Sequence, residues 1–183
     1  MFARRVCGAL FGLVLAVPCS AFCARQQDRQ DGPQCCTAAI PTNVEPGMLT
    51  AEMQALQRRS ETFRAQCDRI GAESRVRVRL SVVYSVEGGG RAQTRIRRYR
   101  SGALFADVEI LFGENYRELL AHEFEHVIEQ IDGVDLAQEA AAGRAWEIAS
   151  GTFETRRALL AGVQVRHEAE MPHAHAPAAA ATR

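Results

Sequence analysis

The chain has no lysine. All 22 basic residues are arginine, and 22 acidic residues bring the formal charge to zero. A protein without net charge has no global field to draw it to nucleic acid, and loss of Arg4 and Arg5 with an N-terminal leader would leave the remainder slightly acidic. The arginine bias by itself assigns no function. Beyond residue 24 no segment is long and apolar enough to cross a bilayer, so no stable membrane span is expected in the mature chain. No internal repeat is present. Cys35, Cys36 and Cys67 lack the two-residue gap that chelating thiolates use, which argues against a cysteine-rich metal site.

The first 24 residues have the make-up of a secretory signal peptide. Arg4 and Arg5 precede an apolar run from Val6 to Val17, and small residues follow at Cys19-Ser20-Ala21 and Ala24. Cleavage after Ala21 and cleavage after Ala24 both fit, and the expected location is secreted or periplasmic. A lipoprotein signal fits less well, because Cys19 follows a proline and Cys23 a phenylalanine. Cys7, Cys19 and Cys23 leave with the leader. In an oxidising compartment Cys67 can pair with either Cys35 or Cys36, leaving one thiol over. What remains is about 160 residues, enough for one domain.

Residues 25–46 are rich in Gln, Asp, Pro and Thr and read as an extended lead-in to a domain over 47–171. Met53, Leu56, Phe63, Cys67 and Ile70 share one stripe and predict a helix from Thr50 to Ile70, closed by Gly71. Val76, Val78, Leu80 and Val82 alternate with polar residues as a half-buried strand does. Glu87 to Gly90 reads as a turn, Ala92 to Arg100 as the return strand, and Ala103 to Phe112 as a third strand. The basic outer face at Arg75, Arg77 and Arg79 is expected to be a solvated face paired with nearby glutamates rather than a nucleic-acid or acidic-ligand surface. Helices are expected over Leu136 to Ala149 and from Phe153 to about Glu170. Residues 172–183, with His173 and His175 among prolines and alanines, read as a disordered tail. The fold class is α+β: an N-terminal helix, a small three-stranded antiparallel sheet, then helices.

Between that sheet and the C-terminal helices stands His122-Glu123-Phe124-Glu125-His126, an H-E-x-x-H arrangement. On a helix the two histidines lie about 40° apart and about 6 Å along the axis, so both rings can reach one ion. Glu123 lies about 60° from His126 on the same side, close enough to act on water without becoming a ligand. The chemistry suited to this set is zinc-assisted hydrolysis, with Glu123 as general base. Asn115 at N-cap with Glu118 three residues on, followed by Leu119, Leu120, Phe124, Val127, Ile128 and Ile131, predicts one helix over 115–132. The competing reading is an accidental pattern on an acidic solvated face made by Glu118, Glu123, Glu125 and Glu129.

A catalytic zinc needs a third protein ligand. Asp132 stands where the extended H-E-x-x-H-x-x-G-x-x-H/D pattern places one, but Glu129 replaces the glycine. On a continuous helix Asp132 would point about 100° off the histidine face. Glu147 and Glu154 lie further on. Glu154, with Ala158 four residues later, and Glu147, with Gly151, both resemble the second motif of the gluzincins, the thermolysin-like zinc metallopeptidases. The firmer helical context favours Glu154. The resemblance covers Ala103 through the last helix. It implies a minimal zincin-like domain with zinc held by His122, His126 and Glu154 (Glu147 as alternative), and a peptide or protein substrate aligned on a sheet edge formed by Leu104 to Leu111. No downstream histidine or tyrosine is identifiable as an oxyanion-stabilising residue.

Two other functions stand beside a secreted zinc metallopeptidase. One is a catalytically silent zincin-like module that binds metal or a partner. The other is a ferritin-like di-metal protein, since Glu123 and His126 also form E-x-x-H. That second site needs another such pair, and Glu170–His173 is interrupted by Pro172.

Overall fold

The computed structural model describes residues 39–149 and 152–171. The signal peptide, Cys35, Cys36, most of the lead-in and the tail from 172 lie outside them. The described residues form an α+β domain. A four-stranded mixed sheet has helices packed on one face, and a two-stranded hairpin stands apart from it.

The sheet is built from β1 (Val44–Glu45), β2 (Val76–Val83), β3 (Ala92–Arg98) and β4 (Leu104–Leu111), in the order β1-β2-β4-β3. This corrects the expected antiparallel three-stranded sheet. Strands β1 and β2 pair in parallel, as do β2 and β4, while β3 pairs antiparallel with β4. The apolar pattern explains the order. On β4, Leu104, Ala106, Val108 and Ile110 are all buried, which suits an interior strand, whereas β3 is mostly polar and takes the edge. The supposed return strand therefore does not pair with β2, and β4 inserts between them. The edge also moves, from Leu104–Leu111 to β3. The lead-in contributes β1, and Asn43 before it donates from Nδ2 to the carbonyl oxygens of Ile70 at 2.8 Å and Glu73 at 3.2 Å. The outer sheet face is solvated, as expected. Asp107 pairs with Arg79 and Arg97, and Arg95 pairs with Glu109.

The expected helix from Thr50 to Ile70 is two helices, α1 (Thr50–Arg59) and α2 (Glu61–Gly71). Ser60 between them is extended, and its hydroxyl accepts from Phe63 N at 2.9 Å as the N-cap of α2. The bend lets Met53 and Leu56 on one helix, and Phe63, Cys67 and Ile70 on the other, enter the same core. Phe63 stacks on Phe124 with ring centroids 5.4 Å apart. Cys67 is a free thiol among the described residues, and burial pushes it up to about 12, opposed by a hydrogen bond with Gln57. Burial keeps a free thiol at this place protonated.

Helix α3 (Tyr116–Ile131) carries the H-E-x-x-H residues and crosses the inner sheet face, burying Leu119, Leu120, Ala121, Phe124, Val127 and Ile128. Asn115 caps it by accepting from Arg117 N at 3.2 Å. The reciprocal half of the capping box does not form, because Glu118 instead binds Arg166 at 2.6 Å. After α4 (Leu136–Ala141), the chain forms β5 (Ala145–Ala149) and β6 (Thr152–Thr155), then α5 (Arg156–Glu170). The segment expected to be helical through Ala149 is thus part strand. Gly143 at φ +71° ends α4, and pairing with β6 outweighs the alanine-rich propensity. The last helix starts at Arg156, capped by the Thr155 hydroxyl, which accepts from Ala158 N at 3.0 Å.

Glu168 on α5 ties this last helix to the α1–α2 joint. Its carboxylate accepts from the Ser60 hydroxyl, from Thr62 N at 3.1 Å and from Thr62 Oγ1 at 2.7 Å, at the positive end of α2. Burial opposes its ionisation, but hydrogen bonds from Ser60, Gln164 and Thr62 outweigh it and hold Glu168 at about 2. A depressed folded-state pKa gives stability that is fully present above about pH 4.5 and is lost as pH falls toward 2. Glu168→Gln is expected to cost about 1–2 kcal/mol at neutral pH and to flatten the acid limb of a stability-against-pH curve measured by urea unfolding.

Candidate metal centre

Helix α3 presents His122 and His126 on the flank that faces α5 and the hairpin. Their rings lie 5.0 Å apart at 81°. Glu154, at the end of β6, brings its carboxylate between them: Oε2 is 3.2 Å from His122 Nε2, and Oε1 is 3.5 Å from His126 Nε2. Ligand atoms of all three residues fall within 4.8 Å of one another. Bonds of 2.0–2.1 Å to a tetrahedral zinc place neighbouring ligands about 3.3 Å apart, and the two contacts, made by different oxygens of Glu154, lie near that spacing. Two imidazole nitrogens and one carboxylate are also the donor types a catalytic zinc takes, and this set fits the ion.

Close helix packing makes the convergence possible. A Cβ on Gly162 would lie 2.9 Å from the Glu118 carbonyl oxygen and 3.3 Å from His122 Cβ. Ala158, one turn earlier, is fully buried. Ala158 is the small residue the sequence singles out, and Gly162 makes the closer approach. Because α5 lies against α3 at this point, the strand that leads into it delivers Glu154 to the histidines. Glu154 is therefore on a strand, which corrects the expected helix.

Glu123 sits beside the triad without joining it. Its Oε1 is 4.0 Å from His122 Nε2, and its Oε2 accepts from the Thr94 hydroxyl at 2.6 Å. Thr94 belongs to the edge strand β3, and sequence reasoning gave no sign of it. Glu123 is almost fully buried, and burial raises its pKa against the lowering influence of His122, His126 and Thr94. Glu129 is equally buried; its Oε2 lies 3.0 Å from His126 Nδ1, and its Oε1 accepts from the Thr155 hydroxyl at 2.6 Å.

The charge balance favours a cation. Glu123, Glu129 and Glu154 crowd two imidazoles. Burial disfavours a charged His126, yet hydrogen bonds to Glu129 and Glu154 and the nearby Glu123 charge carry it up to about 10. Burial likewise opposes ionisation of Glu154, but the two histidines hold it at about 2. Three carboxylates thus gather around two imidazoles, and the donor atoms of His122, His126 and Glu154 could hold a cation.

The other candidate acids lie outside the triad. Glu147 is exposed on β5, opposite Phe153, and stands outside the triad. Asp132 caps α3 and pairs with Arg69 and Arg157, tying three helices together. The acidic solvated face does not exist as such, because Glu123, Glu125 and Glu129 are buried. Glu125 faces away from the triad, toward Gln66 and Arg157. A cavity of about 630 Å³ on that other flank is lined by residues including Gln66, Arg69, Glu125, Asp132 and Arg157, whose charges are mutually paired, and it holds none of the triad.

Trp146 is the chain's single tryptophan and lies directly across from Glu154 in the hairpin. Cross-strand partners share a face, with Cβ atoms about 4.5–5.5 Å apart. One equivalent of cobalt(II) is therefore expected to quench the tryptophan emission of the wild type but not of Glu154→Ala; unchanged emission in the wild type would contradict the shared pocket. Gly162→Ala is expected to lower unfolding stability by about 1–3 kcal/mol and to weaken metal uptake in the same titration, since α5 must move off α3. Comparison with known protein families, with curated proteins and with solved structures finds no match to this chain, and what the site can do is read from its own geometry.

Proposed function

We propose that this chain is an exported zinc metallopeptidase of the zincin-like, gluzincin type. The observation that carries this reading is the meeting of His122 Nε2, His126 Nε2 and the Glu154 carboxylate, with Glu123 buried beside them and outside the ligand set.

Zinc held by these three residues would polarise a scissile carbonyl and acidify a water molecule next to Glu123. Glu123 takes the proton and returns it to the leaving amine. Burial suits it to this exchange, because a raised pKa brings a carboxylate closer to neutral pH, where it can both accept and donate. The Thr94 hydroxyl engages one Glu123 oxygen and leaves the other directed toward His122. Strand β3 ends the sheet on the side of Glu123, so an extended peptide can add to its open edge and run past the catalytic carboxylate. Trp146, across from Glu154 in the hairpin, places an exposed apolar side chain on that side. The make-up of the N-terminal leader supports action outside the cytoplasm.

Glu123→Gln separates chemistry from metal binding. In purified mature protein it should retain one zinc per chain by elemental analysis, while peptide cleavage, followed by mass spectrometry on a mixed peptide substrate, falls by about 10²–10⁴-fold. Zinc uptake without cleavage by the wild type would instead identify a silent metal-binding module.

A further inference from the structure

Glu129 occupies the position where an extended H-E-x-x-H motif would carry glycine, and here a buried carboxylate replaces it. Burying a carboxylate is costly unless its oxygens are fully engaged. Both are engaged at Glu129, one with His126 Nδ1 at 3.0 Å and the other with the Thr155 hydroxyl at 2.6 Å. Thr155 is itself buried. Its oxygen already accepts from Ala158 N, so its own proton is directed to Glu129. Thr155 also follows Glu154 directly in sequence. The chain of contacts therefore runs from His126 through Glu129 and Thr155 to the residue bonded to Glu154, and it joins two of the three metal-facing side chains from behind.

From this geometry we infer that Glu129, locked by Thr155, is a positioning residue that fixes the ring angle and tautomer of His126 for metal binding. The inference rests on the metal-site reading above. An imidazole that donates from Nδ1 to a carboxylate keeps its Nε2 lone pair free, and Nε2 is the atom directed at Glu154. A carboxylate at this place also makes the ring a stronger donor. One hydroxyl thus does three things: it caps α5, holds Glu129, and couples the start of α5 to the geometry of His126. Nothing else in the site explains why a buried acid should stand one turn beyond His126.

The test is zinc affinity, measured by competition with a chromogenic chelator on the full mature chain, with unfolding of the metal-free protein followed in parallel. Glu129→Ala and Thr155→Val should each weaken zinc binding by about 10–100-fold. Thr155→Ser, which keeps the hydroxyl, should restore wild-type affinity. In ¹H–¹⁵N spectra of the zinc-loaded wild type, His126 should show a protected Nδ1 proton that disappears in Glu129→Ala. Wild-type affinity in Glu129→Ala overturns the inference, as does failure of Thr155→Ser to rescue. If Glu129→Ala does not fold, Glu129→Gln and the Thr155 pair decide by the same readings. If the wild type takes up no zinc, the metal-site reading falls and the positioning role falls with it; zinc uptake that is indifferent to Glu129 removes the positioning role alone.

Discussion

The missing side chain at Gly162 lets α5 rest against the motif helix closely enough to matter. A methyl group there would overlap the Glu118 carbonyl oxygen and crowd His122. Several features follow from that one contact. Arg166 reaches Glu118, and Arg157 reaches Glu125 and Asp132. At the far end of α5, Glu168 reaches the N-terminus of α2. At the near end, the strand entering α5 is carried over the two histidines, so Glu154 arrives where its carboxylate can bridge them. Backbone proximity between two helices thus becomes convergence of two imidazoles and a carboxylate from separate elements.

Buried acids are the second organising feature, and each has a distinct use. Glu125 faces Gln66 and Arg157 and joins α3 to α2 and α5. Glu129 faces His126 and Thr155. Glu123 has the Thr94 hydroxyl on one oxygen and the metal-facing side on the other. Only Glu125 is neutralised by a guanidinium. The remaining two, with Glu154, share two imidazoles, and this shortage of positive charge distinguishes the metal-facing flank of α3 from the opposite one. The same helix therefore pairs its acids with arginine on one flank and with imidazoles on the other.

The motif helix was legible in the sequence almost to the residue, because its apolar period is strong and Asn115 and Gly133 mark its ends. The meeting of Glu154, rather than Glu147, with the two histidines agrees with the sequence expectation, although its strand setting was not legible. The stretch from Ala145 to Thr155 carries Trp146, Ile148, Thr152, Phe153 and Thr155, which favour strands, around a Ser-Gly pair; the alanine-rich run before Gly143 masked that local signal. The order of the sheet was hidden for a related reason. Parallel pairing of β2 with β4 joins segments far apart in the chain, whereas the intervening glycines advertise a hairpin. Ser60 did carry a readable sign, a serine just before Glu61, but the unbroken apolar stripe through it masked the bend. Glu129 reads in the sequence as an absent glycine and as one acid of a solvated face. An acid three residues after a metal-facing histidine, on the same face of a helix, was the signal that could have revealed its contact with His126.

X-ray absorption at the zinc edge of the purified mature protein tests the central claim most directly. The account predicts one zinc per chain with two imidazole nitrogens at about 2.0–2.1 Å and carboxylate oxygen at about 2.0–2.2 Å, and a changed first shell in Glu154→Ala. Absence of stoichiometric zinc, a shell without imidazole, or a spectrum that Glu154→Ala leaves unaltered would contradict it.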